Sequence, residues 1–365
     1  MSQKEKVVVA MSGGVDSSVA AALLQREGYE VIGMTMDLFS LPEDFCLDEN
    51  LKSCCGLKAK EDAVRVAVSL GIDHFVVNMK EEFENRVIGD FIDEYTRGRT
   101  PNPCIRCNEF IKFDYLLERA AHLGAKYLAT GHHARIDFNH KTQEYLLQKG
   151  RDSHKDQTYF LYTMNQDQLS RTLFPIGGQE KKTVRKIARD LDLPIADRPE
   201  SQEICFIPDD DYIRFLKERI PDRFRPGPII DEAGKKLGEH MGILHYTIGQ
   251  RRGLGISAAN PLYVLKIDTE SNTIIVGEGE RLFKQELLAS HVRWNSPPVK
   301  GESMDFKACI RYRHTEAPAR LTWIDSDLVR IRFTEPQRAI TPGQSVVFYE
   351  KDRVLGGGII ETVVD

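Results

Sequence analysis

Hydrophobic and polar positions in the first two hundred residues switch repeatedly between the periods of strands and helices. Val7-Val8-Val9-Ala10 is a continuous apolar run, as in a strand covered on both faces. A helix-like stretch over residues 19–27 follows it, and residues 30–36 read as a second strand. Ala63, Val66, Ala67 and Leu70 recur at helical spacing within residues 58–70, and Gly71 suits the C-cap of that helix. Residues 74–77 and 127–130 read as further strands, with a helix over 110–122 between them. Alternating strands and helices predict an α/β domain built on a doubly wound parallel sheet. Ligands of such sheets bind beyond the carboxyl ends of the strands. Ser12–Ser17, Met34–Asp37 and Thr130–His133 all fall at such ends, so one shared nucleotide crevice is expected.

The pattern changes after residue 210. Pro221, Pro226, Gly227 and Pro228 interrupt the chain, and short apolar or alternating runs separated by turns take over. Residues 228–231, 262–267, 273–277, 328–333 and 345–349 are such runs. They predict small β-domains or a barrel. Cys309 lies in the alternating run 306–312 and reads as a core residue.

Composition narrows the class. A chain of 365 residues has room for two or three domains with sizeable cores. Hydrophobic residues at 41% and charged residues at 29% are ordinary for a soluble globular protein. No apolar run is long enough to cross a bilayer, and Met1–Lys6 leads into a strand without the apolar core of a signal peptide. A cytoplasmic protein with no membrane partner is expected. The net charge of -5 does not favour nucleic acid as a partner, yet binding depends on a local basic face rather than on the total. The cysteines are Cys46, Cys54, Cys55, Cys104, Cys107, Cys205 and Cys309. Their odd number and a reducing compartment argue against a disulfide framework and point to chemistry or metal binding.

Three segments carry candidate chemistry. Ser12-Gly13-Gly14-Val15-Asp16-Ser17 joins the first strand to the first helix. Its glycines let the backbone approach an anion, and the helix start adds N–H groups and a favourable dipole end. Ser12, Ser17 and Ser18 can add hydroxyl donors. No Lys follows in the GxxxxGK[ST] arrangement, so this is not a Walker A loop. A plain Gly-rich turn is the alternative, but SGGxDS resembles the pyrophosphate (PP) loop of ATP pyrophosphatases. Those enzymes adenylate a carbonyl oxygen and release pyrophosphate. The second segment is Gly98-Arg99-Thr100-Pro101-Asn102-Pro103-Cys104-Ile105-Arg106-Cys107-Asn108. Its prolines predict an extended, fixed loop ending just before a helix, where the dipole and nearby Arg99 and Arg106 would favour a Cys107 thiolate. Cys104-x-x-Cys107 could also be half of a zinc site, but the chain has no second such pair. The third is Glu200-Ser201-Gln202-Glu203-Ile204-Cys205-Phe206-Ile207, where apolar neighbours alone would make Cys205 a core residue.

Taken in order, SGGVDS, GRTPNPCIRCNEFIKF, ATGHHAR, KDQTYFLY, ESQEICFIP and HYTIGQRRGLGI are similar to the tRNA-specific 2-thiouridylases. Arg311-Tyr312-Arg313-His314 and Thr341-Pro342-Gly343-Gln344 extend the likeness over almost the whole chain. The resemblance implies an ATP pyrophosphatase-type catalytic domain over 1–210, a small central β-domain over 211–284 and a C-terminal β-barrel over 285–365. It implies sulfur for oxygen exchange at the 2-position of a wobble uridine in tRNA, after ATP has activated that oxygen. Nucleotide contacts would come from Ala10, Met11, Ser12, Gly13, Gly14, Val15, Asp16, Ser17, Met36 and Gly131, with Asp16 beside Mg²⁺. Cys205 would carry a persulfide, supplied by a sulfur-donor or relay protein, and Cys107 would assist and leave as a disulfide with it. Asn102, Pro103 and Cys104 would meet the target base. His132, Lys155, Asp156, Gln157, Arg311, Tyr312 and Gln344 would contact tRNA.

One departure stands out. Many members of the family have Asp where this chain has Cys104, a residue often assigned as general base. Cys104, Cys107 and Cys205 could instead hold a 4Fe–4S cluster through three thiolates, with one iron open to sulfide. The persulfide route is preferred over the cluster route. Lys181–Arg189 is a helix-like basic stretch, either a solvated face or a contact to a phosphate backbone. Two other readings remain in play: a different PP-loop adenylating enzyme acting on a small molecule, and a catalytically silent tRNA-binding protein. Intact SGGVDS, Cys107 and Cys205 count against the second.

Overall fold

The computed structural model describes residues 4–40, 57–199, 204–295, 303–325 and 327–364. Cys46, Cys54, Cys55 and residues 200–203 of the third segment lie outside the described residues. Strand β1 (Lys6–Ala10) leads into helix α1 (Val15–Arg26) and strand β2 (Glu30–Asp37). Helix α2 (Leu57–Leu70) precedes β3 (Asp73–Asn78), while β4 (Tyr127–Ala129) and β7 (Thr172–Leu173) complete a parallel sheet of order β3-β2-β1-β4-β7. Val7, Val8 and Val9 are fully buried because helices cover both faces of the sheet, which is why their run lacks alternation. Gly71 adopts the left-handed conformation (φ +65°) that ends α2, as its position predicts.

The helix expected over 110–122 begins earlier. It starts as α3 (Pro103–Arg106), continues in wider π-type turns over Cys107–Leu116 and returns to α geometry over Leu117–His122. The expectation of an extended segment holds only up to Asn102, which has φ −119° and ψ 94°. Pro103 begins the helix because a first-turn residue needs no N–H partner. Cys104 and Cys107 are therefore helical residues, and Cys104, not Cys107, sits in the first turn. A second unexpected element is the hairpin of β5 (Ala134–Asn139) and β6 (Glu144–Lys149). It leaves the parallel sheet and pairs through Gln148 with Arg353 of the C-terminal sheet.

Four strands make the central domain: β8 (Gly227–Asp231), β9 (Lys236–His240), β10 (Leu262–Asp268) and β11 (Thr273–Glu278). Their order is β10-β11-β8-β9, around Ile229, Val264, Ile274 and Val276. The last six strands are β12 (Phe283–Trp294), β13 (Met304–Cys309), β14 (Ala317–Trp323), β15 (Val329–Arg338), β16 (Ser345–Glu350) and β17 (Arg353–Val364). Pairing of β12 with both β15 and β17 closes them into a barrel and removes free edges. Leu287, Phe306, Leu321, Ile331, Val346 and Ile360 fill its interior from alternating positions. Cys309 is buried beside this core, as expected.

Candidate active site

The PP loop is held mainly by its own residues. The Met11 N–H donates to Met34 O (2.8 Å), and the Thr35 hydroxyl donates to Met11 O (2.8 Å), which ties the loop to the end of β2. Ser17 and Ser18 hydroxyls donate to Gly14 O at 3.2 and 2.9 Å, and the Ser12 N–H donates to Ser17 Oγ at 3.2 Å. The Ser17 and Ser18 hydroxyls, expected to serve a ligand, thus also shape the loop. Gly13 has φ +68°, and an added Cβ would meet Ala59 O at 2.1 Å. Gly14 caps α1 with extended backbone and no side-chain hydrogen bond, so the helix start stays open for an anion. At Gly131 a Cβ would lie 2.5 Å from Ser17 N, so glycine lets the end of β4 approach the loop. These features fit the phosphates of a nucleotide.

Asp16 has company that sequence reasoning missed. Lys181 Nζ lies 2.7 Å from both Asp16 carboxylate oxygens. His133 Nε2 is 3.5 Å from Oδ1, the outer limit of a hydrogen bond. Burial alone would raise the Asp16 carboxyl, but His133 and the Lys181 ammonium outweigh it and hold it below its ordinary value. Lys181 opens helix α4 (Lys181–Asp190) and shares one face with buried Val184 and Ala188. That spacing was the available signal: a lysine on the apolar face of a helix needs a buried partner. The rest of the basic stretch serves the fold too, with Arg185 donating to Arg198 O (3.1 Å) and Arg189 to Asp197 (2.9 Å). Arg198, also unanticipated, donates to Gly13 O at 2.9 Å and pairs with buried Asp62. An Asp16 carboxylate engaged by Lys181 suits Mg²⁺ only after that ammonium has moved aside.

His132 and His133 follow β4. His132 is buried between the rings of Phe113 and Phe174, and its Nδ1 lies 2.7 Å from the Thr130 hydroxyl. Burial, with the Lys112 and His133 charges, keeps its ring neutral well below the ordinary histidine range. Gln157 brackets His133, accepting from its N–H (2.9 Å) and donating its own N–H to its carbonyl (3.1 Å). Asp156 accepts from Gly150 N (3.0 Å) and from the Thr158 hydroxyl (2.6 Å). Two residues of the Lys155–Gln157 motif thus pin the strand end. A cleft of about 680 Å³ opens beside them between the hairpin and the barrel, lined by Arg135, Arg151, Asp156, Tyr312, Arg313 and His314 among others. Tyr312 packs on Phe160 with ring centroids 4.4 Å apart, and Arg311 donates to Arg338 O (3.1 Å). Gln344 does not line this cleft; its amide donates to Thr100 O (2.8 Å) and Pro101 O (3.3 Å).

Cys104 is exposed, while Cys107 and Cys205 are half-buried. Cys107 and Cys205 pack against one hydrophobic cluster, which also holds Ala10 at the head of the PP loop and Met34 of β2. The arginines expected to favour a Cys107 thiolate are neutralised elsewhere. Arg106 binds Glu109 (2.8 Å) and Asp90 (3.3 Å), and Arg99 binds Glu94 (2.8 Å) and Glu361. Among the described residues no three Cys, His, Asp or Glu side chains are grouped to hold a metal ion. Cys104, Cys107 and Cys205 therefore do not form the donor set that an iron–sulfur cluster requires. Cys309 donates its thiol to Arg311 O (3.0 Å) and His314 O (3.3 Å), and burial pushes it up to about 11, so it stays protonated.

A PP loop at the carboxyl edge of a parallel sheet, followed by a small β-domain and a six-stranded barrel, defines a PP-loop ATP pyrophosphatase-type architecture with two β appendages. Family models match in the same order. A tRNA methyl transferase HUP domain covers residues 5–209, a tRNA methyl transferase PRC-barrel domain covers 213–278, and an aminomethyltransferase β-barrel domain covers 284–360. Similarity to curated proteins spans the chain. It is 50% identical over 361 residues to the tRNA-specific 2-thiouridylase MnmA 2 of Thermoanaerobacter sp. (strain X514), covering 99% of each. It is 51% identical over 364 residues to tRNA-specific 2-thiouridylase MnmA 1 of Caldanaerobacter subterraneus subsp. tengcongensis, covering 100% of each. The MnmA of Carboxydothermus hydrogenoformans is 50% identical, with 98% of each chain covered. The chain belongs to the tRNA-specific 2-thiouridylase family. Among the described residues no helix is long and apolar enough to cross a membrane.

Proposed function

We propose that this protein replaces the 2-oxygen of the wobble uridine of tRNA with sulfur, using ATP, and that residues 1–210 hold the chemistry while 211–284 and 285–365 hold the RNA. The family supplies the reaction, and the residues supply the route. A uridine oxygen is a poor leaving group. Its attack on the α-phosphate of ATP releases pyrophosphate and makes AMP the leaving group. The PP loop, residues 10–17, with Met36 and Gly131, receives the nucleotide through backbone N–H groups at the start of α1. Asp16 would hold Mg²⁺, which would supply charge to offset the phosphates as pyrophosphate departs. Lys181 would first move from Asp16 toward the phosphates.

Sulfur follows. The terminal sulfur of a Cys205 persulfide attacks C2 of the activated base, and AMP leaves with the oxygen. The Cys107 thiolate attacks the Cys205 sulfur, the S–S bond to the base breaks, and 2-thiouridine departs. The cysteines end as a disulfide, which a dithiol reductant returns to thiols. A sulfur-donor protein recharges Cys205. Asn102, Pro103 and Cys104 meet the target base after it turns out of the anticodon stack, a step that costs a few kcal/mol. Lys155, Arg311 and Tyr312 lie on RNA-facing segments, with Asp156 and Gln157 fixing the first of them.

The observation that carries this reading is a PP loop with an open helix start in the same domain as Cys107 and Cys205, which are far apart in sequence yet both half-buried against the hydrophobic cluster that includes Ala10 and Met34 of the central strands. A small-molecule synthetase has no use for such a pair. Purified protein given ATP, tRNA and a cysteine desulfurase with its substrate should release pyrophosphate only when tRNA is present, and nucleoside mass spectrometry should show 2-thiouridine. Pyrophosphate release without tRNA would favour the small-molecule synthetase. No release under any condition would favour a silent RNA binder.

A further inference from the structure

The segment from Arg99 to Asn102 belongs to no strand or helix. The Arg99 N–H donates to Glu94 O (2.9 Å) and Asn102 O accepts from the Ile105 N–H (3.2 Å) within its own domain, but Thr100 and Pro101 are held from the other two domains. The Thr100 N–H donates to Pro342 O (2.9 Å), and the Gln344 amide donates to Thr100 O (2.8 Å) and Pro101 O (3.3 Å). The Thr100 hydroxyl donates to Thr247 Oγ1 of the central domain at 3.3 Å. Gly343 makes the approach possible. Its φ is +88°, and a Cβ there would lie 2.8 Å from Thr100 N. Arg99 adds an ionic tie, joining Glu94 of its own domain to Glu361 of β17, which also accepts from the Ser290 hydroxyl of β12. Helix α3 begins directly after this segment, and Cys104 and Cys107 lie in its first two turns.

We infer that the barrel loop Thr341–Gln344 and the Arg99–Glu361 pair form a clasp that positions Asn102–Cys107 for the target base. Arg99, Glu361 and Gln344 are positioning residues that act through this segment. The inference rests on the proposed role of Asn102–Cys104 and assigns the barrel a second task beyond holding RNA. The physical reason is reach. A loop whose carbonyls are bound by a neighbouring domain moves with that domain, and a shift of about 1 Å at a reacting group can cost on the order of 10² in rate. Gln344 thereby acquires a role distinct from RNA contact, because its amide hydrogens already serve Thr100 and Pro101.

The test uses the full chain with Gln344→Ala, Glu361→Gln and the donor-restoring Gln344→Lys. In single turnover with the persulfide-charged protein, Gln344→Ala should slow 2-thiouridine formation about tenfold. The dissociation constants for tRNA and for ATP should stay within about twofold of native, well inside the tenfold that separates the readings. Glu361→Gln should show the same split to a smaller degree, and Gln344→Lys should recover most of the rate. Backbone exchange at Thr100 and Ile105 should speed about tenfold in Gln344→Ala without RNA present. A rise in the tRNA dissociation constant with the single-turnover rate intact would make Gln344 an RNA contact and overturn the clasp. Unchanged exchange at Thr100 would overturn it as well. Absence of thiolation by the native chain is a separate result, which removes the reading of Asn102–Cys104 and the clasp with it.

Discussion

The PP loop and the Arg99–Cys107 segment carry the two halves of the candidate chemistry, and they are held in different ways. In the first, Ser12, Gly14, Ser17 and Ser18 bond to one another within a few residues, and the outside ties, from β2, Lys181 and Arg198, all come from the same domain. In the second, Glu94 supplies a local tie to Arg99, and the remaining ties to Arg99, Thr100 and Pro101 come from Thr247, Pro342, Gln344 and Glu361 in later domains. A phosphate-binding loop can be rigid by itself because its ligand is small and always the same. On the proposed function, a loop that accepts one base from a large RNA would gain from being held by domains that also hold that RNA.

The largest expected effect separates the halves outright. Cys205→Ser should form pyrophosphate in the presence of tRNA yet make no detectable 2-thiouridine, since a serine oxygen cannot carry a persulfide. Sulfur label supplied by a desulfurase should appear on Cys205 of the native protein; label confined to Cys54 or Cys55 would overturn the assignment. Asp16→Ala should remove the first half, lowering tRNA-dependent pyrophosphate release by roughly 10²–10³ through loss of the metal-side carboxylate. Unaltered adenylation would place the nucleotide elsewhere.

Asp16→Asn also carries a stability signature, because the buried Lys181 ammonium loses a charged partner that it holds at 2.7 Å. Unfolding at pH 7 should show a loss of about 1–3 kcal/mol. The Asp16 carboxyl is held below its ordinary value, so its contribution is present above the unfolded carboxylate range and lost as pH falls through the lower folded value. The gap between Asp16→Asn and native protein should accordingly close in acid, and a gap that widens there would refute the pairing. Next in size, Cys104→Asp should keep at least a third of native turnover, on the order of 1 kcal/mol or less in the barrier, in aerobically purified protein without iron. Strictly anaerobic, iron-dependent activity of the native chain would defeat that outcome. The smallest effect sharpens the contrast between the loops. Ser18→Ala removes one local bond to Gly14 O and should cost about 0.5–1.5 kcal/mol of stability, with little change in tRNA binding.

Legibility in the sequence follows the same division. Strands β1 to β4, helices α1 and α2, and the barrel strands β13, β15 and β16 could be read from apolar runs and alternation, because burial imposes those periods locally. The start of α3 at Pro103 was misread as loop, since proline marks both extended segments and first turns of helices. The hairpin of β5 and β6 went unseen within a domain of alternating strands and helices, because its use is to pair with a sheet two hundred residues later. In the site, SGGVDS and the two cysteines were legible as chemistry. Lys181 was not, although its place on the Val184–Ala188 face was a usable sign. The partners of Arg99 and Arg106 could not be read from the sequence, because Glu94, Glu361, Asp90 and Glu109 reach them in space.

By itself, then, the sequence determined the type of each strongly periodic element and the PP loop, and it singled out Cys107 and Cys205 as candidates. These depend on residues within a turn or two of each other. Only the tertiary structure decided which charges meet: Lys181 on Asp16, Arg198 on Gly13 and Asp62, and Arg99 between Glu94 and Glu361. It also decided that Gln344 and Gly343 reach the Thr100 backbone. Charge and hydrogen-bond pairing act over a few ångströms of space without regard to sequence distance, and one chain can bring many acids to a given base. The choice among them is made by packing, after the elements have formed.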